Sequence, residues 1–290
     1  DLANKLIVQP HPIDEPQSPR ANAFGSVART VSEDRVTVAY RPSGQTISEP
    51  VVKTVVAHGH GIFVLDCLVG AHHASAVLGE GFPLLVSDTL DERRAFLLGL
   101  LGVKPSQFIK VPYMDGTVLR HPLIVSRVLA RDPIREIDGR KRNLRCLVDP
   151  IYTSSFNKII ANRYGGDKPR RVYISRGDAT VRQISNESDL VDGLSRFGFE
   201  AHQLETLDIE KTVAMFANAE MIVTPHGSGA FNSLFSPPST TVIEIDHARN
   251  DFVPFGISRA LGHRYRIFNR LPENLRLRSN QEHQTVDVDA

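Results

Sequence analysis

A chain of 290 residues, 41% hydrophobic and 23% charged, has the make-up of a folded globular protein with room for two cores, not that of a disordered or fibrous one. Lys plus Arg (34) balances Asp plus Glu (33), which excludes the general basic excess of a nucleic-acid binder. No apolar run reaches the ~18 residues of a membrane span, and only Cys67 and Cys146 are present, which fits a reduced compartment for a chain too large to need stapling.

Residues 1–30, with Pro10, Pro12, Pro16 and Pro19 closely spaced, read as an extended arm. The β-branched stretches 36–40 and 51–56 bracket Pro42, Ser43 and Gly44, a pattern that predicts two paired strands around a turn. Residues 62–78 are mostly apolar, 84–87 are strand-like, and 91–101 have helical spacing until Gly102 and Pro105 stop them. A further short strand is expected at 108–111. Arg131, Arg135, Arg140, Lys141, Arg142 and Arg145 crowd a stretch that reads as a solvated connection, with a membrane surface or an anionic substrate as the competing reading. Residues 151–164, closed by Gly165 and Gly166, read as a bridging helix, and the division expected is into domains 1–155 and 156–290.

Beyond that point elements alternate: strand 171–175, helix 187–197, strand 199–204, helix 209–218, strand 221–224, short helix 229–235, strand 241–246. Asn186 is placed to cap the first of these helices, Leu190, Val191, Leu194 and Phe197 form its apolar stripe, and Gly198 closes it. Strands separated by helices of this length imply right-handed crossovers and a parallel sheet whose ligands sit at the carboxyl ends of the strands. The loops after 175, 224 and 246 therefore carry the chemistry.

The first loop follows Tyr173-Ile174-Ser175-Arg176 and continues through Arg182 to Asn186 and Glu187. Guanidinium and backbone N–H groups ahead of a helix suit phosphate oxygens, although either arginine alone could equally pair with a surface carboxylate. In the second loop, Thr224-Pro225-His226-Gly227-Ser228-Gly229 leads into a short helix containing Asn232. The glycines let backbone approach a ligand closely, and His226 could donate to a phosphate or merely brace the loop. Glu244 ends the run Thr241-Val242-Ile243-Glu244, where a carboxylate accepts from ribose hydroxyls or from backbone donors.

As an ordered set these residues resemble glycosyltransferase family 61, which includes bacterial capsular-polysaccharide enzymes and sugar transferases of the secretory pathway. The pattern is met by Tyr173 to Arg176, Arg182, Asn186 with Glu187, Gly198 to Glu200, Phe216 with Ala219, His226 to Asn232, and Val242 to Glu244. Thr212 departs from a common Gln, and Ala230 and Phe231 replace the usual Leu and small polar residue.

The resemblance implies an α/β fold of two Rossmann-like domains facing a cleft, the GT-B type, and inverting, metal-independent transfer from a nucleotide sugar, usually a UDP-sugar, to a glycan or glycoconjugate hydroxyl. Arg176, Arg182, His226 and the backbone of Gly227, Ser228 and Gly229 would hold the diphosphate. Asn186 and Glu187 would organise the first loop, Asn232 would brace the short helix and Glu244 would face the ribose. No cofactor is implied beyond the donor itself. A cytoplasmic setting is expected, with attachment to the inner face of a membrane, or the secretory lumen for a trimmed domain, as alternatives.

In the first half, His60 and Asp66 enclose an apolar run, and family members often carry a His followed by such a run and an Asp. Desolvation would make Asp66 a serviceable general base, with His60 in reserve; a carboxylate hydrogen-bonded to backbone is the competing reading. His58, His60, His72 and His73 show no recognised metal spacing. A non-catalytic nucleotide- or glycan-binding module of the same fold is the main rival. A serine hydrolase lacks its Gly-x-Ser-x-Gly elbow, and a dehydrogenase lacks its glycine fingerprint.

Overall fold

A computed structural model of the chain describes residues 29–32, 35–38, 41–54, 60–111, 115–124, 129–131, 135–137, 140–142, 146–166, 168–177, 183–245, 252–268, 285, 286 and 288. Residues 1–28 of the expected arm, His58 and Arg182 lie outside them.

β1 (Arg29–Ser32) and β2 (Arg35–Val38) pair antiparallel. β3 (Arg41–Lys53), β4 (Leu84–Ser87), β5 (Phe108–Val111) and β6 (Asp115–Ile124) form a wholly parallel sheet ordered β5-β4-β3-β6. β7 (Leu129–Arg131) pairs antiparallel with β10 (Cys146–Val148), and β8 (Arg135–Ile137) with β9 (Arg140–Arg142). A second parallel sheet, ordered β12-β11-β13-β14-β15, contains β11 (Arg170–Ile174), β12 (Phe199–His202), β13 (Ala219–Pro225), β14 (Thr241–Ile245) and β15 (Arg264–Phe268). Two parallel sheets threaded by helices make this an α/β protein.

Two expectations need correcting. Pro42, Ser43 and Gly44 do not separate paired strands but lie within β3. Gly44 takes φ 73°, and the register against β6 slips between Pro42 and Thr46, so the turn-forming residues are absorbed as a bulge in a continuous strand. The Arg-rich stretch is not a bare connection. β8 and β9 flank Asp138-Gly139, a dipeptide that favours two-residue hairpins, and set Arg135 opposite Arg142 and Glu136 opposite Lys141.

Helices begin where a carboxylate can take the first unpaired N–H groups. Asp91 accepts from Arg94 N at 2.8 Å to open α2 (Glu92–Gly99), after α1, which runs over residues 60–78. Asp149 accepts from Ile151 N at 2.9 Å to open α3 (Pro150–Tyr164), with Pro150 in the first turn, where its missing N–H costs nothing. α4 (Glu187–Ser195) follows β11. Asp208 accepts from Glu210 N at 2.8 Å to open α5 (Ile209–Ala217). α6 (Val253–Leu261) is closed by Gly262 at φ 81°, a left-handed conformation that glycine adopts without strain. None of the described helices is long and apolar enough to cross a membrane.

The apolar core is continuous from one sheet to the other. Phe156 and Ile160 of α3, both fully buried, belong to the same cluster as Leu84 and Leu98 before them and Val172, Phe216 and Ile222 after them. Residues 155 and 156, where the sequence divides into expected domains, are both inside α3.

Candidate active site

In the second sheet the chain runs outward from β11 to β12 on one side, then returns to lay β13 on the other. Loops leaving the carboxyl ends of such neighbouring strands diverge and open a crevice at the reversal point. Arg176 lies two residues beyond β11, and His226 directly follows β13. Gly229 draws the loops together: a methyl added there would meet Ile174, at the end of β11, and Leu204 at 3.4 Å each.

The loop after β11 is built on Glu187. Its Oε1 accepts from the Tyr173 hydroxyl at 2.6 Å and from Arg176 N at 3.2 Å, while Oε2 accepts from Ser175 Oγ at 3.0 Å. Burial, then the Glu187 carboxylate beside it, pushes the Tyr173 hydroxyl far above the ordinary tyrosine range, so it stays a donor. Glu187 thus bends the backbone carrying Arg176 and is itself committed to that task. Asn186 does not cap α4, contrary to the sequence reading. Its amide donates to Val286 O at 2.7 Å and accepts from Val286 N at 2.9 Å, tying a segment 100 residues later onto the sheet.

The loop after β13 turns on His226, 4% exposed, whose Nδ1 faces Oε1 of Glu244. Glu244 is 2% exposed, and its Oε2 accepts from the Tyr265 hydroxyl. Both oxygens are therefore engaged inside the protein. Where a ribose contact is expected of Glu244, the structure sets its carboxylate between His226 and Tyr265. Because a carboxylate only accepts, Nδ1 carries the proton, and any contact from His226 to a ligand goes through Nε2. Gly227 is buried, Ser228 exposed and Gly229 between the two, as the chain enters the 3₁₀ segment Ser228–Phe235.

The first half meets this segment directly. His60, at the start of α1, places Nε2 at 2.9 Å from Asn232 Oδ1, and Asn232 Nδ2 donates to Gly229 O at 3.0 Å. An amide oxygen accepts, so His60 donates through Nε2, and in the neutral ring Nδ1 holds the lone pair. Burial holds the His60 imidazole below its ordinary value, with Arg94 and Arg93 acting the same way and Asn232 and Asp91 opposing them. The next residue, Gly61, lies against the ring of Phe231. Asp66, by contrast, is 5% exposed, within a π-helical stretch, Phe63–Leu68, in the middle of α1.

The family profile described as Glycosyltransferase 61 matches residues 98–243, half of the chain. The chain belongs to glycosyltransferase family 61. Comparison with curated proteins gives no match. The matched span of the transferase holds both loops, Arg176 to Glu187 and His226 to Asn232, and stops one residue short of Glu244; His60 and Asp66 lie before it.

The remaining histidines of α1 are accounted for by helix packing: His72 Nε2 is 2.9 Å from Ser155 Oγ, and His73 stacks on Tyr152 with ring centroids 4.0 Å apart. Among the described residues of the transferase, no three His, Cys, Asp or Glu side chains gather as metal ligands would.

Sequence reasoning missed Tyr265 and Asn157. Asn157, 4% exposed, donates to Leu234 O and Ser236 O at 2.9 Å each, so α3 grips the end of the 3₁₀ segment. A polar residue on the buried stripe of a helix, between Phe156 and Ile160, is the signal that could have flagged it. Tyr265 carries no comparable mark: in Arg264-Tyr265-Arg266 it reads as an ordinary edge-strand residue.

Proposed function

We propose that the chain is an inverting, metal-independent transferase of GT-B arrangement that moves a sugar from a nucleotide sugar, a UDP-sugar first among candidates, to a glycan or glycoconjugate hydroxyl. The observation that carries the reading is the junction of the two loops at the strand reversal, with His226 oriented through Nδ1 and the first half reaching in through His60. Arg176, Arg182, the Nε2 side of His226 and the N–H groups from Gly227 to Gly229 hold the diphosphate, whose developing charge they stabilise as it departs. The acceptor oxygen attacks the anomeric carbon from the opposite face. The bond from that carbon to the phosphate oxygen breaks, the nucleoside diphosphate leaves, and the hydroxyl proton passes to a base.

For that base His60 is preferred over Asp66. Its ring is kept neutral by burial, its Nδ1 holds a lone pair, and it stands beside Asn232 at the loop, whereas Asp66 is enclosed in α1. The test is a thermal-shift panel of UDP, GDP, CMP and their sugars. Ligand at 100 times its Kd stabilises by about 2.7 kcal/mol, so a UDP-sugar should raise Tm by several degrees. Arg176→Ala should weaken that binding by roughly tenfold or more, the worth of a charge-assisted contact to phosphate. If none of the nucleotides stabilises the protein, the donor seat is misassigned; if they bind but no sugar is transferred, the chain is a binding module.

A further inference from the structure

The hydroxyl of Tyr265 is the outer member of a chain of contacts through Glu244 to His226, drawn from neighbouring strands at one end of the sheet. In the β14–β15 register Val242 faces Tyr265 and Glu244 faces Ile267, so Tyr265 reaches Glu244 diagonally along one face. We propose that Tyr265 is a positioning residue for the donor seat. Through Glu244 it fixes the His226 imidazole with Nδ1 protonated and Nε2 presented to the leaving phosphate.

This assignment rests on the transferase reading given above. A carboxylate that is 2% exposed cannot replace a lost donor with bulk water, so without the Tyr265 hydroxyl Oε2 of Glu244 is left wanting. The carboxylate is then free to turn, which lets the His226 ring exchange tautomers. The place of the hydroxyl is set by strand register against Glu244, and the ring makes a separate contact with that of Phe255, on α6, edge-on with centroids 5.6 Å apart.

The experiment labels the histidines of the whole chain with ¹⁵N and reads their tautomers, with His226→Gln identifying the signals of that residue. The parent should show His226 protonated at Nδ1. Tyr265→Phe should mix the tautomers and lower kcat about tenfold while the donor KM changes by less than about twofold. Phe255→Leu, which removes the ring contact and spares the hydroxyl, should leave tautomer and kcat unchanged. An unaltered His226 tautomer in Tyr265→Phe overturns the proposal, as does a Phe255→Leu variant that reproduces the loss. Should Tyr265→Phe not fold, 3-fluorotyrosine at 265 keeps the ring and alters the acidity of the hydroxyl; His226 ¹⁵N signals that stay put would overturn it equally. If the parent transfers no sugar, the transferase reading fails, and the tautomer comparison still decides the role of Tyr265.

Discussion

Gly61→Ala is the smallest change that tests how the first half of the chain meets the 3₁₀ segment. A methyl at Gly61 would lie 2.3 Å from Cδ2 and 2.4 Å from Cε2 of Phe231. An ordinary carbon contact needs ~3.5 Å, so the ring or the start of α1 must retreat by more than about 1 Å. Phe231 is 9% exposed and packed in the core, which leaves it little room to turn. Overpacking of this kind costs about 1–3 kcal/mol. The adjacent pair bears the displacement too, because His60 precedes Gly61 and Asn232 follows Phe231, and their 2.9 Å contact cannot survive a shift of that size. Gly61→Ala should therefore lower stability to urea by about 2 kcal/mol and lower transfer more than donor binding. Phe231→Leu in the same chain removes the obstructing ring atoms and should recover part of the loss, giving a coupling energy of about 1 kcal/mol or more in a double-mutant cycle. Additive losses from the two substitutions would refute the packing described between Gly61 and Phe231.

Burial lowers the His263 imidazole from 6.5 to about 4 in the fold, against the hydrogen bonds to the carbonyls of Ser236 and Pro237. The unfolded chain takes up this proton first as pH falls, so stability is undiminished above 6.5, declines between 6.5 and about 4, and loses nothing further below that. The loss amounts to about 3 kcal/mol, and urea titrations should show a shallower acid decline in His263→Gln than in the parent. Asn186→Ala should cost about 1–2 kcal/mol through its two bonds to Val286 while leaving nucleotide affinity within about twofold; a large fall in affinity would restore Asn186 to the donor seat.

The second sheet is legible in the sequence from β11 to β14, where the strands and helices are marked locally, whereas α6 and β15 go unread. Gly198 closes the turn after α4, and apolar runs such as Val172 to Ile174 are short and bounded. The loops carrying Arg176 and His226 follow from that order alone, since parallel strands deliver their loops to one edge. What the sequence hides is direction. Glu244 and Asn186 have the residue types of ligand contacts, yet one turns inward to His226 and Tyr265 and the other is spent on backbone 100 residues away. Pairings at such separation leave no periodic trace. Pro42 to Gly44 misleads for the opposite reason: turn-forming residues also serve bulges, and only the partner strand β6 decides between them.

The helix at 150–164 belongs to both sheets at once. Phe156 and Ile160 fill the shared interior, and Asn157 clasps Leu234 and Ser236. Severing the chain near its midpoint would thus strip one fragment of its lid and leave the other with a greasy, unanchored rod. The two halves share one interior through α3, and α1 meets the second half again at Asn232. Evolution, likewise, could not readily lend either half to another protein without also supplying a substitute for that shared strut.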